Sequence, residues 1–344
     1  MGKIEELLND YINNEELTPG ISVALVKNGE VVYKKSHGYA NLENAVKINS
    51  KTAFYIASLS KSFTAAAIVL LYEKGKLALS DRINKYFTDL PDYCKDIKVV
   101  NLLNHTSGLK DYFSNYFEQK KNINFVTNND VYTFVLQETS LNFSVGDKFE
   151  YSNTGYVLLS LLIEKISGQS FSEFLNENFF LPLGMKNTYV FTEDKPIIPN
   201  RAYGYEQIKE NFFGYDYYVL TTGDGGIYSC IDDLILWVQA FDHEGVFTKQ
   251  TIETFFSREK LNNGAPCIYG FGWFTLEKDS KKVVFHAGQL GGFTNIMIKL
   301  REENFSIIIL TNYFRDSFQK IFKAVHDCAT ETNDQYCINK GKKG

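Results

Sequence analysis

A chain of 344 residues, 44% hydrophobic and 22% charged, has a globular composition and the length for one large domain or two ordinary ones. Its net charge of -5, with the terminal Lys340-Gly-Lys-Lys-Gly344 as the only dense basic stretch, argues against a nucleic-acid partner. The longest apolar run, residues 65–72, is too short for a transmembrane segment.

Residues 1–10 read as the start of an amphipathic helix and lack the hydrophobic stretch of a signal peptide. That leaves a cytoplasmic location, or export with a leader removed. Residues 20–27 and 30–36 are β-rich and are joined by Asn28-Gly29, the pair that best accepts a type I′ hairpin turn. A connection from Gly38 leads to residues 54–57, then to Ser58-Leu-Ser-Lys61 at the front of an apolar helix that closes at Gly75. On a helix, Ser58 and Lys61 share a face and set a hydroxyl beside an amine, a nucleophile with its base. A serine at that place also reads as a helix cap.

From residue 101 to about 210 the pattern turns helical, with helices over 128–138, 154–168 and 170 to about 180, the last stopping before Leu181-Pro-Leu-Gly184. The stretch Thr221-Thr-Gly-Asp-Gly-Gly226 is glycine-rich, but no Lys-Ser or Lys-Thr follows, so it is not a phosphate loop. Ser229-Cys-Ile-Asp232 has the form of a capping box before a helix at 234–241. Four strands follow, over 269–276, 282–286, 293–300 and 306–311. A closing amphipathic helix at 314–328 and a polar tail end the chain.

Strands at both ends with helices between them predict an α/β fold. One antiparallel sheet is built from both chain termini and flanked by helices, with a mostly helical region inserted. The expected division is a discontinuous sheet domain (1–61 with 216–335), a helical domain (62–215) and a tail (336–344). Cys94, Cys230, Cys267, Cys328 and Cys337 are scattered and odd in number, which suits a reduced compartment or free buried thiols better than a disulfide framework. The five histidines never fall at a metal-ligand spacing, and nothing implies a metal or another cofactor.

Two more stretches bear on Ser58. Tyr151-Ser-Asn153 stands just before a helix, and His286-Ala-Gly288 ends a strand and enters the turn Gln289-Leu-Gly-Gly292. Each also has a structural reading: Ser152 or Asn153 as a cap, His286 as a bonded strand-end residue, Gly288 as a turn former.

The order of these pieces resembles the three-part signature of the serine β-lactamase and penicillin-binding protein superfamily, in its class C β-lactamase-like branch. Ser-x-x-Lys comes first, Tyr-x-Asn about ninety residues on, and a basic residue with x-Gly lies on a late strand. Residues 103–109, 181–188, 225–229 and 269–273 also look like that branch, so the resemblance runs from Pro19 to Asn312.

The resemblance implies that Ser58 attacks a carbonyl and forms an acyl-enzyme, while Lys61 and Tyr151 share the proton transfer as a coupled pair. The tyrosine would serve as base if neighbouring ammonium groups lower its pKa. Asn153 would bind the substrate carbonyl and fix Lys61, and the N–H groups of Ser58 and Gln289 would form the oxyanion hole beside His286 and Gly288. His286 and Ala287 stand where β-lactamases carry Lys-Thr, which weakens a carboxylate pocket, and Val145-Gly146 replaces Pro-Gly. The leading expectation is a serine hydrolase of a small-molecule or peptide substrate: an ester, an amide or a D-amino-acid peptide. The alternatives are a penicillin-binding DD-carboxypeptidase or weak β-lactamase, and a silent scaffold with the same fold. Aromatics in 111–128 and 192–218 either line an acyl pocket or pack between domains.

Overall fold

The computed structural model describes residues 17–119, 123–242, 244–278 and 281–313. The expected helices at 1–10 and 314–328 and the polar tail lie outside the described residues, as do Cys328 and Cys337.

Six strands make one antiparallel sheet. β1 (Ile21–Lys27) and β2 (Glu30–His37) come from the start of the chain; β3 (Phe274–Lys278), β4 (Lys281–Leu290), β5 (Phe293–Leu300) and β6 (Phe305–Thr311) come from its end. Their order across the sheet is β3-β4-β5-β6-β1-β2. The two ends of the chain meet where β1 pairs β6, from Ile21 opposite Thr311 to Lys27 opposite Phe305. Asn28 and Gly29 take φ of 52° and 78°, as the type I′ turn requires.

Interior β1 buries both faces. Ala24 and Val26 face the main core, while Ile21, Val23 and Leu25 pack with Ile296, Ile298, Ile307 and Ile309 on the other side. That is why β1 reads as an unbroken apolar run rather than an alternation. Edge strand β2 is largely exposed and carries Lys34 and Lys35, charges that discourage pairing with another chain.

The longer helices are α1 (Ser60–Glu73), α2 (Asn128–Gln137), α3 (Asn153–Ser167) and α4 (Ile231–Gln239). In α1 every residue from Ser60 to Val69 is buried, so the helix has no solvent face there and belongs to the core. Phe63 of α1 stacks on Trp237 of α4 with ring centroids 3.9 Å apart, and Trp237 Nε1 donates to Ser62 Oγ at 3.0 Å. A small sheet, Phe54–Tyr55 beside Ile227–Ser229 beside Tyr189–Val190, leads the chain into α1.

Several boundaries differ from those read in the sequence. Residues 269–273 are not strand: Gly272 has φ +83°, and a Cβ there would lie 2.7 Å from Ser62 Cα, so this loop is folded against α1. The strand expected to end at His286 runs on to Leu290, because β5 pairs it along the way, with Gly288 opposite Asn295 and Gln289 opposite Thr294. Gly288 and Gln289 are therefore strand residues, and the turn is Gly291-Gly292. Ser229 caps no helix; it ends a strand and its Oγ bonds Thr188 Oγ1 at 2.8 Å.

Ser170 does cap its helix, in a box with Glu173, but the helical path passes through a π-turn at Asn176–Phe180 and on to Leu183. Pro182 falls in the first turn of that last segment, where a missing N–H is tolerated. Cys94, Cys230 and Cys267 are buried free thiols. Among the described residues, no helix is long and apolar enough to cross a membrane.

Candidate active site

Ser58 lies in a single 3-10 turn, Ala57–Leu59, that runs directly into α1, and its side chain makes no capping bond. Ala57 before it has φ +48°, a left-handed conformation that costs a residue with a Cβ roughly 1–3 kcal/mol. Lys61, one turn on, donates from Nζ to Ser58 Oγ at 3.1 Å, to Asn153 Oδ1 at 2.8 Å and to the Asp224 carbonyl at 2.7 Å. Asn153 opens α3, yet its carbonyl oxygen serves Lys61 rather than the helix end. Asp111 takes over that duty, accepting from the Asn153 N–H at 2.7 Å.

Burial controls the protonation of both proton-transfer candidates. Lys61 is fully buried, and desolvation brings its pKa down to about 8 against the opposing pull of Asp224 and Asp111. Tyr151 moves the other way. Its Oη is buried, and desolvation holds the phenol well above its ordinary range, with a weak hydrogen bond to Ser58 opposing that shift. The acidified phenol expected from the sequence is thus corrected. Lys61 Nζ sits 4.9 Å from the centre of the Tyr151 ring, a contact with the π face.

His105 holds this wall in place. Its Nδ1 accepts from the Ser152 N–H at 3.1 Å, and its ring lies 4.3 Å from that of Tyr151 and 4.5 Å from that of Tyr269.

On the facing wall, β4 presents His286. Since the Ala287 carbonyl can only accept, His286 Nδ1–H donates to it at 2.7 Å, which leaves Nε2 to accept from the Tyr269 hydroxyl at 2.9 Å. Burial first, and Lys61 second, pull this imidazole down to about 3, so it is neutral. Ala287 is exposed beside it. The place of the Lys-Thr pair thus offers neither a cation nor a hydroxyl.

Gly288 lets β4 lie flush against the Ser58 turn, since a Cβ would overlap the Ile56 carbonyl oxygen and come within 3.1 Å of the Ser58 nitrogen. Next to the two-residue turn, Leu290 and Gly288 exchange ladder bonds with β5, which turns the N–H groups of Ala287 and Gln289 the other way. The partner β3 has already ended there, at Phe274 opposite Phe285.

Between these walls is a cleft of about 380 Å³ lined by Ser58, Tyr151, Asn153, His286 and Gln289, with Lys61 and Gly288 directly behind. Asp224 also lines it, a residue that no motif in the sequence singled out. Residues 221–226 carry no phosphate-loop lysine and read only as a glycine-rich loop, and no spacing rule marks an aspartate set apart by its burial. Of the aromatic loops, Tyr112 and Phe113 reach the cleft. Phe212 packs edge-on against Tyr313 at 5.3 Å, and Tyr218 stacks on Phe125 at 6.2 Å, so those positions serve packing. The side chains of Tyr116 and Phe117 lie outside the described residues.

The Beta-lactamase family model matches residues 8–328. Penicillin-binding protein 4* of Bacillus subtilis (strain 168) is 34% identical over 328 residues, covering 88% of this chain and 70% of that protein. Protein flp of Staphylococcus aureus (strain MW2) is 30% identical over 308 residues, covering 86% of this chain, which spans only 59% of that longer relative. Among solved structures, the octameric penicillin-binding protein homologue from Pyrococcus abyssi has a TM-score of 0.81 and 29% identity, covering 94% of this chain and 76% of its own. The D-amino acid amidase from Ochrobactrum anthropi SV3 shares the fold with a TM-score of 0.77 at 24% identity, over 95% of this chain and 98% of its own. With a family model spanning nearly the whole chain and a relative above 30% identity, the chain belongs to the Beta-lactamase family and is a serine hydrolase of the β-lactamase and penicillin-binding protein superfamily.

Proposed function

We propose that Ser58 is the nucleophile of an acyl-enzyme mechanism acting on esters and amides, D-amino-acid derivatives included, that need no carboxylate for recognition. The observation that carries this reading is the 3.1 Å bond between Lys61 Nζ and Ser58 Oγ, set in a cleft whose described lining includes no lysine or arginine.

As the neutral amine, Lys61 takes the Ser58 proton while Oγ bonds to the substrate carbonyl carbon. The oxyanion rests on the N–H groups of Ser58 and Gln289, donors worth about 3 kcal/mol each in such sites. On collapse, the carbon–leaving-group bond breaks and Tyr151, a neutral phenol, protonates the departing group; Lys61 then restores the tyrosine proton. Water attacks the acyl carbon, gives its proton to the same pair, and Ser58 leaves as the hydroxyl. Asn153 and Asp111 fix Lys61 and act as positioning residues.

The names of the relatives favour a second reading, a penicillin-binding carboxypeptidase or weak β-lactamase. Neutral His286 and Ala287 weigh against it, because they give a substrate carboxylate no charged partner. A silent scaffold is disfavoured because the buried amine of Lys61 is costly to keep and has no evident structural purpose. The test is turnover of p-nitrophenyl butyrate, together with labelling by a fluorescent penicillin, in the wild type and Ser58→Ala. Ester turnover lost in Ser58→Ala supports the proposal. Stable penicillin labelling without ester turnover assigns the second reading, and silence in both assays assigns the scaffold.

A further inference from the structure

Asp224 is the one formally charged side chain among the described residues that line the cleft, since His286 is neutral and Lys61 lies behind the wall. It is 6% exposed. Its Oδ2 accepts from the Tyr112 hydroxyl at 2.8 Å, while Oδ1 is buried with no hydrogen-bond partner. The residue is tied to the reaction centre through its own backbone, whose carbonyl receives Lys61 Nζ at 2.7 Å. Thr64 of α1 secures the same loop by donating to the Gly223 carbonyl at 2.7 Å. A buried carboxylate oxygen left unpaired at the wall of a substrate cleft is costly, unless a ligand supplies the missing donor.

We propose that Asp224 is a specificity-determining residue whose carboxylate receives a cationic amine on the acyl half of the substrate, so that aminoacyl amides and esters with a free ammonium are preferred. The acyl half is assigned because the leaving group must depart toward solvent, whereas Asp224 is nearly buried and adjoins Lys61 through its own carbonyl. Burial raises the pKa of the empty carboxyl, and an arriving ammonium opposes that shift and keeps the group ionised. The inference rests on the acyl-hydrolase reading and specifies its substrate class.

The test compares the p-nitroanilides of D- and L-phenylalanine with their N-acetyl counterparts, in the wild type, Asp224→Asn and Asp224→Glu. The readout is the ratio of kcat/KM for the free amine to that for the acetylated form. Being a ratio within one protein, it cancels any general loss caused by disturbing the Lys61 setting. The wild-type ratio should be roughly tenfold or more for at least one enantiomer, the scale of a charge-assisted hydrogen bond. It should fall to about one in Asp224→Asn and survive in Asp224→Glu. A wild-type ratio at or below one overturns the proposal without needing a variant, as does a preference that persists in Asp224→Asn. If p-nitrophenyl butyrate is turned over through Ser58 but the ratio is flat, the amine anchor fails and the hydrolase reading stands. If no ester or anilide is turned over, both fail.

Discussion

Lys61 holds the Asp224 carbonyl more closely than it holds Ser58: 2.7 Å from Nζ to the main-chain oxygen, 3.1 Å to Ser58 Oγ. The amine is thus positioned by backbone and by Asn153 before any substrate arrives, and its lone pair becomes available to the serine only when a proton is lost.

That loss sets the pH dependence. Burial brings Lys61 from 10.5 to about 8, so the free base grows as pH rises through about 8. Wild-type kcat/KM should climb about tenfold per pH unit below that value and level off above it. The folded pKa is the lower one, so between about 8 and 10.5 the unfolded chain binds more protons and this group's contribution to stability increases with pH. Lys61→Met should remove the limb and lower turnover by about 10²–10⁴-fold. An unchanged limb in that variant would assign the titration to another group.

Tyr151→Phe separates chemistry from packing. The buried Tyr151 hydroxyl has no well-formed hydrogen bond, only a weak one to Ser58, so removing it should leave the thermal midpoint within about 2 °C of the wild type. Turnover should fall by about 10²–10⁴-fold if the phenol carries the proton to the leaving group. Full activity in a stable Tyr151→Phe protein would contradict that role.

Gly288→Ala places a methyl against the Ile56 carbonyl and the Ser58 amide, both main-chain atoms. The strand must then move away from the nucleophile's turn, at a cost of about 1–3 kcal/mol in stability. Denaturant midpoints should show that cost, and ester turnover should fall further than the stability loss explains, because the Ser58 and Gln289 N–H groups no longer face one oxyanion. Wild-type turnover in the folded variant would argue against that pair of donors.

Ala287→Thr restores a hydroxyl at an exposed position beside neutral His286. The second-order rate of fluorescent penicillin labelling should rise by roughly tenfold, the scale of one hydrogen bond to a carboxylate, with stability unchanged within about 0.5 kcal/mol. Labelling that stays at the wild-type rate would show that His286, not Ala287, limits carboxylate binding.

The sequence by itself determined the elements that local chemistry dictates. Asn28-Gly29 specified the hairpin because few residues accept positive φ twice in succession. The i, i+3 spacing put Ser58 and Lys61 on one face, and the resemblance to the family's three-part signature pointed to Tyr151, Asn153 and His286. The tertiary structure alone decided properties set by what surrounds a group. Desolvation, which has no local signature, raised the Tyr151 phenol and lowered Lys61. Pairing with β5 carried β4 past His286 to Leu290, an outcome that depends on a partner strand rather than on the residues of β4. Asp224, read as part of a glycine-rich loop, became the charged group of the cleft only when α1 drew its carbonyl onto Lys61 and left one carboxylate oxygen unpaired.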